Sequence, residues 1–193
     1  MNYNYKIYLA SQSPRRIEFL KQLNLDFEHF SVDIDESRLK DESVINYLDR
    51  VVHKKRDEAL KRIDSGVVIV ADTIVTLGEI IFQKPTDDIN AKEILESLSN
   101  RWHKVITGFS VTSKDMSINE YHFVTTEVLF KKLSENEISF YISTKEHTDK
   151  AGGYALQGVG SFMIEKIVGS YSNVIGLPIK ELFEVLQKGV ISL

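Results

Sequence analysis

Two rhythms of apolar residues alternate along this chain, and together they predict a sheet with helices on its faces. Ile7-Tyr8-Leu9-Ala10 is a continuous apolar run of strand length, and behind it Phe19, Leu20 and Leu23 recur at helical spacing. Between them, Ser13 is a favoured N-cap residue and Pro14 suits the first helical position. The stretch Ser11-Gln12-Ser13-Pro14-Arg15-Arg16 therefore predicts a strand running into a helix N-terminus. Phe27 to Val32 reads as a second short strand. Val44, Leu48, Val51, Val52 and Ala59 trace the inner face of a long helix, and Lys55 falls on that same face. Gly66 to Ala71 is apolar throughout, the pattern of a strand buried on both sides, and it is predicted to end at Asp72. Thr73 to Leu77 and Ile80 to Phe82 then read as a hairpin turning at Gly78-Glu79.

Further along, Thr86 is expected to cap a helix with Asp87 and Asp88 in its first turn and Ala91, Ile94, Leu95 and Leu98 turned inward. His103 to Thr112 and Tyr121 to Phe130, rich in β-branched and aromatic residues, predict a long antiparallel hairpin. Ser134-Glu135-Asn136-Glu137 has capping-box spacing ahead of Ile138, Tyr141 and Ile142. A glycine-rich loop from Gly152 to Gly160 precedes a strand predicted over Ser161 to Val168, and Pro178 opens a terminal helix through Leu182, Phe183, Val185 and Leu186. Because hairpins interrupt the βα alternation, the pattern specifies a mixed α/β sheet rather than a simple Rossmann succession. No linker, repeat or charge block divides the chain, so residues 1–193 read as a single domain.

Composition narrows the function. With 193 residues, 42% hydrophobic and 27% charged, the chain can bury a full core. A net charge of −4 gives no general attraction to nucleic acid or anionic membranes, so neither is an expected partner and any basic site must be local. The absence of cysteine rules out disulfides, a thiol nucleophile and Cys-ligated zinc. Neither a signal-peptide core nor an apolar stretch of spanning length stands out, and a cytoplasmic location is expected.

Against that acidic background, the basic turn at residues 11–16 gathers two hydroxyls, two guanidinium groups and first-turn N–H groups at the positive end of a helix. Those are the donors an oligophosphate needs, although the same residues also suit a capped surface helix with solvated arginines. Asp72, directly after an apolar strand, lies at the edge of the core where a metal-bound phosphate could approach; alternatively it caps local N–H groups in a turn. Asp33, Asp35 and Glu36 form a second acidic cluster, of which one member facing Asp72 would complete a two-carboxylate magnesium site. Lys55 either snorkels along the core or points its ammonium at an anion, and Lys84 adds a point charge from a loop. The glycines of residues 152–160 either let a ligand approach the backbone closely or serve a mobile connector. There is no Walker A sequence, and Gly158-Val159-Gly160-Ser161-Phe162-Met163 breaks the dinucleotide fingerprint. The five histidines show no metal-ligand spacing and read as surface or strand residues.

Taken in register, Ser11-x-Ser13-Pro14-Arg15-Arg16, Ala71-Asp72-Thr73-Ile74-Val75, Lys84-Pro85, Lys150-Ala151-Gly152-Gly153-Tyr154-Ala155-Leu156-Gln157-Gly158 and Gly169-Ser170-Tyr171-Ser172-Asn173-Val174-Ile175-Gly176-Leu177-Pro178 resemble the Maf family over nearly the whole chain. The resemblance implies a fold similar to that of inosine triphosphate pyrophosphatases, with two lobes around a ligand cleft, and a homodimer. It implies hydrolysis of a nucleoside triphosphate between the α- and β-phosphates, giving a monophosphate and pyrophosphate. By the same resemblance Asp72 is the general base, and Glu36 and Asp72 hold a divalent cation, Mg²⁺ or alternatively Mn²⁺. Ser13, Arg15, Arg16, Lys55 and Lys84 fall at phosphate-handling positions, with Lys54 an alternative to Lys55 because Arg56 stands where Ala is usual. Arg15, Thr73 and Gln157 resemble the dTTP/UTP class, and the Gln157 amide can accept from a pyrimidine N3–H while donating to O4. Asn100 stands where many relatives have Gly, at a position requiring positive φ. Two other readings remain beside hydrolysis of dTTP and UTP. One is a nucleotide-binding regulator of cell division, as the family's older name of septum formation inhibitor implies. The other is an enzyme that clears modified pyrimidine triphosphates.

Overall fold

A computed structural model describes residues 2–192. In chain order its strands are β1 (Asn2–Tyr3), β2 (Ile7–Ala10), β3 (Phe27–Phe30), β4 (Val67–Leu77), β5 (Ile80–Phe82), β6 (Trp102–Ser113), β7 (Asn119–Phe130), β8 (Ile164–Val168) and β9 (Ile191–Ser192). Its helices are α1 (Pro14–Gln22), α2 (Val44–Leu60), α3 (Asp88–Leu98), α4 (Glu135–Ser143), α5 (Tyr171–Ile175) and α6 (Ile179–Gln187). The main sheet has the order β3-β2-β4-β6-β7-β8, with β5 paired to β4, and is mixed: β2 runs parallel to both β3 and β4, whereas β5 and β8 are antiparallel to their partners. This is the expected mixed α/β sheet with helices beside it. A separate pair, β1 with β9, joins the two ends of the described chain.

The chain forms two compact units. The first comprises residues through Asp72, Thr107–Phe123 and the segment from Gly176 onward. In its parallel trio β3-β2-β4, strand β2 and the first half of β4 are apolar and covered, with Ile7, Leu9, Val67 and Ile69 all essentially without solvent exposure, whereas the edge strand β3 exposes Glu28 and His29. Helix α2 begins at Ser43, whose side chain accepts from the Asn46 N–H. It buries Val44, Leu48, Val51, Val52 and Ala59, as its periodicity requires. It comes so near β6 that a Cβ on Gly108 would lie 3.1 Å from both Leu48 and Val52, so a side chain at that position would push the helix away.

The second unit comprises Thr73–Ile106 and Val124–Ile175. Its core joins Ile94, Leu95 and Leu98 of α3 to Val75, Val105, Val128, Phe130, Ile138, Tyr141, Tyr154 and Met163. Helix α4 carries the complete capping box: Ser134 accepts from the Glu137 N–H, and the Glu137 carboxylate accepts from the Ser134 N–H. Asn100 has a φ of +58°, the backbone state expected there.

Several boundaries differ from the pattern reading. Strand β4 does not stop at Asp72 but continues to Leu77, since a carboxylate with a cationic partner can stand within an extended segment without ending it. The cap of α3 is Asp87, not Thr86; the Asp87 carboxylate reaches the Asn90 N–H at 2.7 Å. Strand β3 ends at Phe30 rather than Val32. The apolar stretch predicted as a strand from Ser161 begins as a 3₁₀ turn over Val159–Met163 and becomes extended only at Ile164. Two histidines are core residues: His147 is buried in the turn after α4, and His103 on β6 is 2% exposed.

His103 carries a prediction. Its Nε2 lies 2.8 Å from the Tyr154 hydroxyl, and burial depresses its pKa from 6.5 to about 4. The unfolded chain therefore takes up a proton near pH 6.5 that the folded chain refuses until about pH 4. Stability is lost as pH falls across that window, by up to about 1.4 kcal/mol per unit. Urea unfolding from pH 7.5 to 4 will show this slope in the wild type. In His103→Gln, which has no titrating group, the slope will be shallower between pH 6.5 and 4; parallel curves would show that the imidazole titrates alike in both states.

Candidate active site

In the first unit, the end of β2 delivers Ser11 and the helix α1 that follows it. Ser13 occupies the N-cap with extended backbone, but its side chain makes no capping hydrogen bond; instead its N–H donates to the Ser11 hydroxyl at 3.1 Å. The first-turn N–H groups of α1 and the Ser13 hydroxyl are thus gathered at one helix end, with Pro14 at the first helical position. Arg15 and Arg16 are both half-buried beside it.

Arg16 is committed to the frame of the site. Its Nε donates to the Gly176 carbonyl at 2.9 Å and its Nη1 to the Ala71 carbonyl at 2.6 Å, binding α1 to β4 and to the turn before α6. Burial lowers its pKa, and the charges of Asp72 and Glu36 oppose that effect. A guanidinium retains its proton in such a setting. It adds a fixed positive charge directly behind Asp72.

The chemical centre is a triad of charges. Lys55 Nζ donates to Asp72 Oδ1 at 2.7 Å and meets Glu36 Oε1 at 2.8 Å. The side chains of Lys55 and Asp72 are only 12% and 14% exposed, whereas that of Glu36 is 47% exposed. Burial of Lys55 works against its charge, yet the charge of Asp72 and the hydrogen bonds that Lys55 donates to both carboxylates outweigh it, and the net pKa is raised. Lys55 thus remains an ammonium across the physiological range. Lys55, rather than the exposed Lys54, is the residue that turns inward to the two carboxylates.

Glu36 reaches this place because its loop is pinned at its far side. Arg50 of α2 grips Glu42 through Nε and Nη2 at 2.6 and 2.8 Å, and Nη2 also donates to the Ser37 carbonyl at 2.9 Å. The Arg50 hydrogen bond pulls the Glu42 pKa to about 2. Asp35 closes the turn by accepting from the Ser37 N–H, and Asp33 is exposed. Sequence reading missed Arg50 and Glu42, since neither apolar spacing nor a motif marks a charge pair whose work is to shape a neighbouring loop.

Two carboxylates converging on one cation form a hard-oxygen donor set, the chemistry that suits Mg²⁺ with phosphate oxygens completing the shell. Among the described residues there is no cluster of three or more metal-ligating side chains, so a substrate would have to supply the remaining ligands. Asp72 and Glu36 fit the group on those terms.

The second unit carries the other expected residues. Thr73 follows Asp72 on β4 and is half-buried. Lys84 is exposed on the loop between β5 and α3, ahead of the buried Pro85. Gln157 is exposed on the glycine-rich loop, which is built rather than slack: the Gly152 N–H donates to the Gln83 carbonyl, and the Tyr141 hydroxyl accepts from the Ala155 N–H. Glu146, unmarked in the sequence, braces the same loop.

Fold and site define a mixed α/β protein in which a largely buried lysine joins two carboxylates near a helix N-terminus. The chain matches the family described as Maf-like protein over residues 6–189, and it belongs to that family. It is 46% identical over 192 residues to a dTTP/UTP pyrophosphatase of Thermosipho africanus, covering 96% of this chain and 95% of that one. Proteins of the same name from Syntrophus aciditrophicus and Clostridioides difficile are each 41% identical. The first match covers 94% of this chain and 89% of the relative, the second 94% of both. Among solved structures, a nucleoside-triphosphatase / dITP/XTP pyrophosphatase from Mycobacterium abscessus is a distant likeness, with a TM-score of 0.43 and 14% identity over 65% of this chain and 74% of that one. Among the described residues no helix is long and apolar enough to cross a membrane.

Proposed function

We propose that this chain is a nucleoside triphosphate pyrophosphatase that hydrolyses dTTP and UTP to the monophosphate and pyrophosphate. The observation that carries the reading is the Lys55 ammonium shared by Asp72 and Glu36 beside the N-terminus of α1, in a chain whose relatives bear that activity in their names. Phosphoryl-type displacement needs positioning and charge neutralisation more than covalent chemistry.

Asp72 takes the proton from a water attacking the α-phosphorus, its carboxylate held in place by the Lys55 ammonium, and no covalent intermediate is needed. Lys55 holds that carboxylate oriented before substrate arrives, then shares its charge with phosphate oxygens. The Ser13 hydroxyl, the α1 N-terminus and Arg15 bind the triphosphate, while Arg16 fixes the backbone of Ala71 and adds charge from behind. Lys84 neutralises the departing pyrophosphate. Thr73 and Gln157 take the nucleoside end, with the Gln157 amide pairing to N3–H and O4 of thymine or uracil. Asp72 and Glu36 would hold a divalent cation, Mg²⁺ or Mn²⁺, which would supply Lewis-acid screening of the triphosphate. A homodimer and a cytoplasmic location complete the reading.

The test is pyrophosphate release from dTTP, UTP, dCTP, dATP and dGTP in magnesium, together with modified pyrimidine triphosphates. The expected result is a preference for dTTP and UTP of about 10²-fold or more in kcat/KM. Tight binding of dTTP without pyrophosphate release would favour a regulatory nucleotide-binding protein instead. A higher kcat/KM for a modified pyrimidine than for dTTP would make nucleotide clearance the principal activity.

A further inference from the structure

Thymine and uracil differ from cytosine at the edge that one amide can read. A thymine or uracil ring donates from N3 and accepts at O4, whereas cytosine accepts at N3 and donates from its amino group. A glutamine whose amide can turn over satisfies either ring. Selectivity through Gln157 therefore depends on the place from which its side chain meets the ring as well as on the amide face, and the second unit contains a device that fixes that place.

The device is Glu146, in the turn after α4. Its carboxylate accepts two backbone hydrogen bonds from the far side of the loop, from the Val159 N–H at 3.1 Å and the Gly160 N–H at 2.8 Å. On the near side, the buried Tyr141 hydroxyl accepts from the Ala155 N–H at 3.2 Å. Lys150 donates to the Glu146 carbonyl at 2.7 Å, which ties the loop's entry to the same turn. The Ser161 hydroxyl closes the exit by donating to the Gly158 carbonyl at 2.8 Å. The exposed Gln157 is thus suspended between anchored backbone two residues away on either side, at Ala155 and at Val159, with Gly160 beyond. Gly158 completes the fit: its φ is +122°, and a Cβ there would run into the Glu146 carboxylate, so the carboxylate can lie against the loop only because the side chain is absent.

We infer that Glu146 is a positioning residue for base selection, clamping the loop through Val159 and Gly160 so that the Gln157 side chain projects toward the base from a fixed backbone position. This rests on the reading of Gln157 as the residue that meets the base. Charge-assisted hydrogen bonds to backbone N–H groups are the strong kind, and a pair of them on consecutive residues fixes both position and direction. Glu146 touches neither substrate nor metal in this account; it acts through the loop.

The experiment compares Glu146→Gln, Gly158→Ala and Gln157→Ala with wild type, measuring kcat and KM for dTTP and dCTP and the melting temperature of each. Glutamine keeps one acceptor oxygen but loses the charge and the second bond, and Gly158→Ala displaces the same carboxylate from the opposite side. Both are expected to lower the dTTP-over-dCTP preference about tenfold, through a raised KM for dTTP with kcat changed less than about threefold. If Gln157→Ala abolishes the preference while both clamp variants keep it, the clamp is overturned and the reading of Gln157 stands. If Gln157→Ala keeps the preference, the reading of Gln157 fails by itself. Equal losses for dTTP and dCTP, following the fall in melting temperature, would mean that Glu146 serves folding alone and would also overturn the inference.

Discussion

Replacing Asp72 with asparagine is expected to lower kcat/KM for dTTP by about 10³-fold. The substitution keeps the shape of the side chain and its ability to accept from Lys55, but removes the negative charge and the proton acceptor together. In the structure Asp72 is the buried carboxylate of the triad, 14% exposed and 2.7 Å from the Lys55 ammonium, with Arg16 bonded to the carbonyl of the preceding residue. No other carboxylate among the described residues stands in that position, and Glu36 is far more exposed. Lys55 retains Glu36 in the variant, so folding should survive, and melting curves recorded alongside the kinetics separate a loss of chemistry from a loss of structure. Turnover within about threefold of wild type would remove Asp72 from the base role.

The second large effect is on stability as well as rate. Lys55→Met preserves the length and apolar stem of the side chain while leaving the Asp72 carboxylate buried without its cation, and breaking a buried pair from one side costs about 3–5 kcal/mol. The variant is expected to unfold at clearly lower urea concentration in the presence of a chelator. Added magnesium should restore part of that loss, because a cation that binds the folded carboxylates and not the unfolded chain stabilises by mass action. For the wild type the same addition should matter less, since Lys55 already offsets part of the charge of the pair. Urea midpoints with and without magnesium read this directly; equal magnesium effects in the two proteins would show that Asp72 and Glu36 are not the residues holding the metal. The kcat/KM of the variant should fall by about 10²-fold, the usual scale for removing one charge from a phosphoryl-transfer site.

Much of this was legible in the chain. The apolar run before Ser11, the cap and proline at Ser13 and Pro14, the capping box at Ser134 and the helical face of α2 all lie where their spacing put them, because each depends on residues within a few positions of one another. Asp72 was singled out for a reason that does not hold, as the end of a strand, when it stands within one. The polarity change was real, but its cause was a partner in α2 rather than a turn. Lys55 could not be told from Lys54 by sequence, since adjacent residues on a helix differ in direction by about 100° and only the packed helix shows which of them turns inward. Glu146 and Arg50 were invisible for a similar reason: each is a charged residue in a polar stretch, and its importance lies wholly in the loop it holds.

By itself, then, the sequence determined the alternation of strands and helices, the location of a strand-to-helix turn bearing two arginines at residues 11–16, and the exclusion of thiol and disulfide chemistry. Tertiary structure alone decided that Lys55 joins Asp72 to Glu36, that two donors of Arg16 serve main-chain carbonyls, and that Glu146 restrains the loop bearing Gln157. The division has a physical cause. Secondary structure follows from short-range sterics and the period of apolar residues, which can be read along the chain. Charge pairing depends on which distant side chains share a poorly solvated space, and that is settled only when the sheet and helices have closed around them.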